Sequence, residues 1–288
     1  MDTTLPLPFL PHVELGNEPA ESKQRLTRNQ LSYLGCVYLT STNTNIDTLL
    51  QFLQSHISIE AFVDASGFQS ADDIVSILDA GAQKVFVNPE QLESLQTYGD
   101  RVLPIVSVAQ GISSTLKGGA LIQIGSDISA PKAILEKLTA EKASPIFFLS
   151  TSTDLDSVVK AAKEFNAIPI LPATQLTIFK NPVPGQISIP ELICGSWTSD
   201  RNDKLIPTVV TDERGIALGL VYSSQESLAE SLNTGTGVYQ SRKRGLWYKG
   251  ATSGDTQELV RISLDCDQDC LKFVVRQHGR GMLQYSFL

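Results

Sequence analysis

Between Leu31 and Ala173 the chain alternates short apolar runs with segments of helical period. The runs are YLGCVYLT (33–40), EAFVDA (60–65), KVFVN (84–88), RVLPIVSV (101–108), ALIQIGS (120–126), PIFFLS (145–150) and IPILPAT (168–174). Near-continuous Val, Ile and Phe of this length suits strands buried on both faces of a parallel sheet. Helical patterns stand between several of them, at Ile46–Leu53, Ser70–Ala80, Ala130–Lys142 and Thr153–Phe165. Ser70 with Asp73, and Thr153 with Asp156, are spaced to satisfy the free amides of a first helical turn. Gly81 falls where a helix ends in a left-handed cap. Repeated strand–helix units connect by right-handed crossovers, so the expectation is an α/β domain, a partial barrel or a layered parallel sheet.

The pattern then breaks. NPVPGQISIP (181–190) concentrates proline and SWTSDRNDK (196–204) is polar, which places a domain boundary near 195–205. The expected division is an α/β domain over 1–195, a linker over 196–204 and a smaller domain over 205–288. In the latter, IPTVVTDERGIALGLVYSS (206–224) reads as two strands around a turn at Glu213-Arg214-Gly215. A short helix over Gln225–Asn233 follows. Strands are expected at Gly237–Ser241 and Leu246–Lys249, with a long one at Leu259–Asp269. This half has the grammar of an α+β domain with an antiparallel sheet.

Composition narrows the partners. The 288 residues are 42% hydrophobic and 19% charged, with a net charge of −8 and a pI near 5.0. That balance suits a globular fold and argues against a nucleic-acid polymer or a membrane surface as the partner. A small phosphorylated ligand remains compatible, since it needs only a local cluster of cations. The start, MDTTLPLPFLPHVELG, has an acidic residue where a signal peptide is basic, and no run reaches 18 apolar residues. The expectation is an intracellular, cytoplasmic protein. Cys36 and Cys194 lie in apolar contexts and read as buried hydrophobes rather than a disulfide framework.

Chemistry concentrates in the second half. Arg242, Lys243, Arg244 and Lys249 fall within eight residues, punctuated by Gly245, Gly250 and Gly254. Guanidinium forks and close glycine backbones suit phosphate oxygens, and Trp247 and Tyr248 offer flat surfaces for a purine. A solvated hairpin tip fits the same composition equally well. Asp265, Asp267 and Asp269 alternate, so in a strand they share one face, where hard oxygen donors suit Mg²⁺. The other reading is a charge-protected edge strand. A calcium-binding helix–loop–helix is excluded, because its sixth position would be Cys270 and its twelfth Arg276. Cys266 and Cys270, with His278 beyond, supply three donors for an open zinc site, or two core cysteines on the opposite strand face. The first half has no phosphate-binding glycine loop, and Gly118-Gly119 lacks dinucleotide spacing.

Two resemblances follow from these motifs. GFQSADDIVSILDAGAQKVFV (67–87) is similar to one strand–helix–strand unit of the barrel isomerases of histidine biosynthesis, and reads as scaffold. GVYQSRKRGLWYKGATSGDTQELVRISLDCDQDCLKFVVRQ (237–277) resembles the phosphoribosyl-AMP cyclohydrolase family, and within it the N-terminal part of the fungal trifunctional histidine-biosynthesis proteins. The resemblance implies hydrolytic opening of the N1–C6 bond of the adenine ring by a metal-bound hydroxide. It implies Mg²⁺ on Asp265, Asp267 and Asp269, and Zn²⁺ on Cys266. It also implies substrate contacts from Ser241, Arg242, Arg244, Trp247, Lys249, Thr252, Ser253 and Gly254, and a homodimer with sites at the subunit interface. After the glutamine at Gln277 the family continues to a Cys-His pair and a Ser-Cys-Phe, which complete the zinc ligands. Here the chain reads HGRGMLQYSFL and Met282-Leu283 stands at the position of the pair. Two readings result. One is a zinc- and magnesium-dependent enzyme in which Cys270 or His278 substitutes. The other is a truncated relative that binds nucleotide or dimerises without turnover.

Overall fold

The computed structural model describes residues 7–16, 26–41, 45–107, 118–127, 136, 144–179 and 181–279. Two compact units divide the chain. One comprises Phe9–Arg25 and Cys36–Gln175; the other comprises Met1–Pro8, Leu26–Gly35 and Leu176–Leu288. The division between Gln175 and Leu176 lies N-terminal to the stretch where proline and polar residues suggest a boundary, because strands at 176–177 and 187–188 pair with each other and a helix follows them directly. Among the described residues no helix is long and apolar enough to cross a membrane.

The first unit is a closed barrel of eight parallel strands, which decides between the two α/β layouts expected. The strands are β1 (Leu10–Leu15), β2 (Cys36–Ser41), β3 (Glu60–Asp64), β4 (Ala82–Val87), β5 (Val102–Ser107), β6 (Ala120–Ile124), β7 (Ile146–Ser150) and β8 (Ile168–Pro172). Strand alternation explains why both faces are apolar. Val37, Leu39, Ala61, Val63, Val85 and Val87 pack in one layer with Leu49, Leu53, Ile74, Ile77 and Leu78. Those last five residues lie on the helices over Ile46–Ser55 and Ala71–Asp79. The alternate positions fill the interior: Tyr38, Phe86, Phe147 and Phe62 form a chain of ring contacts with centroids 5.1–5.8 Å apart. Lys84 is buried yet satisfied, because its ammonium donates to the Asp100 carbonyl at 2.6 Å and faces the Asp100 carboxylate at 3.5 Å.

Capping departs from expectation in detail. Ser70 is the residue before its helix but its side chain makes no capping bond. In the helix Leu155–Glu164 the cap is Asp154, not Thr153, and it accepts from Ser157 N. A carboxylate one residue later is the stronger acceptor for those amides. Gly81 adopts φ 111°, as expected beyond the helix end. The helix expected at Ala130–Lys142 lies outside the described residues apart from position 136.

The second unit begins with α1 (Arg28–Leu34), which Thr27 and Gln30 close with a reciprocal capping box and Gly35 ends at φ 71°. A short parallel pair, β9 (Leu176–Thr177) and β10 (Ile187–Ser188), leads into a helix over Ile189–Ser196. The main sheet has the order β12-β11-β16-β15, formed by β11 (Ile206–Thr211), β12 (Ala217–Ser223), β15 (Gln257–Leu264) and β16 (Leu271–Gln277). Its pairs are antiparallel except β11–β16, which is parallel. A helix over Gln225–Thr234 and a separate hairpin, β13 (Val238–Ser241) with β14 (Gly245–Tyr248), complete the unit. Val210, Leu228, Leu232, Val238, Tyr239, Ile262 and Phe273 are buried together as its core residues. Each such side chain contributes roughly 1.5–3 kcal/mol of burial free energy. The single long strand expected at Leu259–Asp269 does not form: β15 ends at Leu264 and the aspartates lie in the turn before β16.

Candidate functional site

The basic cluster sits on the β13–β14 hairpin, where Ser241 pairs with Gly245 and Arg242-Lys243-Arg244 form the tip. The Ser241 hydroxyl oxygen accepts the Arg244 amide at 3.2 Å and fixes the tip. The two arginines are laid on aromatic faces. The Arg244 guanidinium stands 5.7 Å from the Trp247 ring centre, and that of Arg242 stands 5.0 Å from the Tyr222 ring centre. Exposed cation–π contacts of this kind are worth about 0.5–1 kcal/mol, enough to bias a side chain without removing its fork from solvent. Trp247 also packs on Tyr239, 6.0 Å between centres.

The glycine turn follows. Lys249 N donates to Gly237 O, and Gly254 N to Gly250 O, so Thr252, Ser253 and Gly254 form an exposed loop closed on itself. Gly250 is held at φ 84°, and a Cβ there would meet the Asp255 carbonyl at 2.6 Å, which is why no larger residue fits. The Ser253 hydroxyl oxygen accepts the Asp255 amide at 3.2 Å.

The aspartates reach one another through a turn rather than along a strand face. Asp265 Oδ1 accepts the amides of Asp269 and Cys270 at 3.0 and 3.1 Å. Gln268 takes a left-handed conformation, φ 63°, and so reverses the chain. The result is that oxygens of Asp265, Asp267 and Asp269 lie within 4.8 Å of one another, all exposed. The Asp265 carboxylate and the Asp267 charge push the Asp269 carboxyl above its usual range. Three hard oxygens this close fit the donor set of Mg²⁺.

The thiols do not converge as the C-x₃-C…H spacing suggested. Cys266 is exposed in the turn, whereas Cys270 is partly buried and its thiol donates to the Leu271 carbonyl at 3.5 Å. Burial raises the Cys270 pKa. His278 lies past the far end of β16, where its Nε2 contacts Glu258 at 3.0 Å. The three do not meet within one chain. Nor do Cys266 and Cys270 occupy a strand face opposite the aspartates, since none of these residues is in a strand.

Position along β15 separates the candidate residues into two groups. The Thr252–Gly254 loop precedes β15 and the aspartate turn follows it, and a strand of 8 residues spans roughly 25 Å. Lys249 belongs with the first group, because its partner Gly237 bonds Gln257 O at the start of β15. Arg242 belongs with the second. The connection is a segment that composition suggested as a linker. Thr198 N donates to Gln268 O at 2.7 Å and its hydroxyl to Asp267 O at 3.4 Å. Asp200 adds its charge to the rise at Asp269. Arg201 forms two bonds to the Asp203 carboxylate, 2.9 and 2.7 Å, and lies 4.6 Å from the Tyr222 ring centre. Asp203 in turn feels the Arg242 charge. Tyr222 and residues 198–203 therefore join the aspartate turn and Arg242 at one end of the sheet. Periodicity gave no sign of this, although the close Arg201/Asp203 pair was a readable signal of local order.

Comparison with known proteins follows the same segment. A family profile described as phosphoribosyl-AMP cyclohydrolase matches residues 219–282. The chain is 51% identical to the histidine biosynthesis trifunctional protein of Neurospora crassa, over 97% of this chain and 33% of that protein. It is 36% identical to the histidine biosynthesis bifunctional protein of Schizosaccharomyces pombe, over 97% of this chain and 70% of that one. Over 26% of the chain it is 46% identical to the phosphoribosyl-AMP cyclohydrolase of Roseobacter denitrificans, covering 60% of that enzyme. The chain thus spans about a third of the trifunctional relative and a little over two thirds of the bifunctional one.

Proposed function

Because the chain belongs to the phosphoribosyl-AMP cyclohydrolase family, and within it to the fungal multifunctional histidine-biosynthesis proteins, we propose that its second unit hydrolyses the N1–C6 bond of phosphoribosyl-AMP in the histidine pathway. The observation that carries the reading is the carboxylate triad of Asp265, Asp267 and Asp269, with Arg242 brought to the same end of the sheet. The triad would hold Mg²⁺ and Cys266 would hold Zn²⁺. Zinc held there would supply hydroxide near neutral pH as the nucleophile. Arg242 and Arg244 orient phosphate through their forks, and Trp247 offers its face to the purine. Lys249, Thr252, Ser253 and Gly254 bind phosphate at the other end of β15.

A span of roughly 25 Å between the two groups is too long for one small nucleotide. The reading therefore includes a homodimer in which one chain's Thr252–Gly254 loop faces its partner's aspartate turn. The partner is a small-molecule nucleotide rather than a nucleic-acid polymer or a membrane, and the compartment is the cytoplasm, where the four free cysteines stay reduced.

One feature favours a second reading. Met282-Leu283 stands where the resemblance places a Cys-His pair, which leaves Cys266 without those ligands. On that reading the chain binds nucleotide or dimerises without turnover. Phosphoribosyl-AMP turnover by the purified 288-residue chain with Zn²⁺ and Mg²⁺, with zinc counted in the same sample, decides between them. Turnover at stoichiometric zinc supports the enzyme. Substrate binding or dimerisation with neither zinc nor turnover supports the second reading, and the absence of turnover, substrate binding and dimerisation together removes both.

A further inference from the structure

Among the described residues, Arg242 is a candidate phosphate ligand placed by residues outside the 237–277 motif. Its guanidinium lies on Tyr222, a half-buried residue of β12. The same ring carries Arg201, and Arg201 is clamped by both oxygens of Asp203. Two cations sharing one ring repel unless an anion stands beside them, and Asp203 is that anion: it pairs with Arg201 and is within electrostatic reach of Arg242. The arrangement holds Arg201 neutralised while leaving the Arg242 fork without a carboxylate bonded to it among the described residues. An arginine whose charge is already paired binds phosphate poorly; an arginine held only by a ring face keeps its donors for the ligand.

We infer that Tyr222, backed by the Arg201–Asp203 pair, is a positioning residue that aims Arg242 at a phosphate of the substrate. The inference rests on the proposed function. It assigns a role to residues 201–203, which lie outside the matched region 219–282. The ring acts through its face, so the hydroxyl is dispensable and the aromatic character is not. Residues 198–203 also bond the aspartate turn, so the same segment fixes the distance between the aimed phosphate and the carboxylate triad.

The test is a double-mutant cycle on the full 288-residue chain. Binding of phosphoribosyl-AMP is measured by calorimetry with Mg²⁺ present and no Zn²⁺ added, which withholds the nucleophile of turnover, and folding is checked by thermal melting. Tyr222→Leu is expected to weaken binding about 3- to 10-fold, Tyr222→Phe to stay within about 1.5-fold of the parent, and both to melt near the parent. In an Arg242→Ala background, Tyr222→Leu is expected to change nothing further. Equal losses from Tyr222→Leu with and without Arg242, or a loss in Tyr222→Phe matching that in Tyr222→Leu, overturn the inference while leaving the functional reading intact. If Tyr222→Leu unfolds the chain, Tyr222→Phe and Asp203→Asn carry the test. Asp203→Asn removes the anion that offsets the repulsion of Arg201 and Arg242 on one ring and is expected to weaken binding only when Arg242 is present; an unchanged affinity overturns the inference. An unaffected Arg242→Ala, or a parent chain that does not bind, fails the functional reading itself.

Discussion

Asp265 acts on Asp269 in two ways: its Oδ1 accepts the Asp269 amide at 3.0 Å, and its carboxylate helps push the Asp269 carboxyl above its usual range. Asp265 is thus both a member of the carboxylate triad and the keystone of the turn that forms it. The Asp267 side chain makes no such bond and contributes charge, while its backbone carbonyl accepts the Thr198 hydroxyl. Asp265→Ala is therefore expected to lower stability by about 1 kcal/mol, the net worth of the lost amide bonds at an exposed site. Asp267→Asn should leave the melting temperature unchanged or raise it. Equal destabilisation by the two substitutions, measured by denaturant melts, would refute the division of roles.

Magnesium affinity separates them differently. Removing either carboxylate is expected to weaken Mg²⁺ binding at least about tenfold in titration calorimetry, since on the proposed assignment three oxygens would share one cation. Asp267→Asn is the cleaner variant because its turn stays intact. Unchanged Mg²⁺ binding in that variant would remove the metal assignment.

The triad also has a pH signature. The Asp269 carboxyl is raised, so folding favours its protonated form, and its contribution to stability is present at acid pH and lost as pH rises through the raised value. Metal and proton compete for the same oxygens. Mg²⁺ affinity should therefore fall as pH is lowered from 7 toward 4, and thermal stabilisation by Mg²⁺ should fall with it. A pH-independent affinity over that range would contradict the coupling.

In the barrel the sign is opposite. Burial lowers the His12 pKa from 6.5, against the opposing charges of Glu14 and Asp64, and its Nε2 lies 2.8 Å from the Thr40 hydroxyl. A neutral imidazole is the folded form. Its contribution is fully present above about pH 6.5 and is lost as pH falls through the lowered folded value. Protection of β1 and β2 amides, after correction for the intrinsic pH dependence of exchange, should fall on acidification below that point, and His12→Asn should flatten the response. Equal acid sensitivity in the variant would place the effect elsewhere.

Gly250 gives a steric prediction. Alanine there needs φ 84° and brings Cβ within 2.6 Å of the Asp255 carbonyl group. The expected cost is about 2 kcal/mol or more, with loss of phosphate binding at Thr252–Gly254 because the loop must move. A Gly250→Ala chain that melts like the parent would show that the loop is less constrained than its contacts imply.

The barrel was legible because its strands are buried on both faces: runs such as KVFVN and PIFFLS announce themselves without any partner in view. Closure of the sheet was not, since a partial barrel and a complete one have the same local grammar. In the second unit the aspartates were found by their spacing but assigned to the wrong geometry. Alternation of acidic residues beyond Leu264 looks like strand period, and only the Asp265 bonds to the amides of residues 269 and 270 show why the chain turns there. Tyr222 left no trace in the pattern, because a tyrosine on an edge strand acquires its role from an arginine twenty residues later that happens to fold over it.

The placement of α1 has a consequence for dissecting the chain. Leu26–Gly35 lies in sequence between barrel strands β1 and β2, yet belongs to the unit that carries the aspartate turn, where it packs on β15. Covalent order and spatial order are thus interleaved: the backbone passes from one unit to the other after Pro8, Arg25, Gly35 and Gln175. No single cut yields both units whole. A fragment starting at Leu176 would expose the surface of β15 that α1 covers, and a fragment ending at Gln175 would carry α1 without its seat. In sequence, then, the barrel is two stretches, Phe9–Arg25 and Cys36–Gln175, inserted between the pieces of the second unit rather than a preface placed before it.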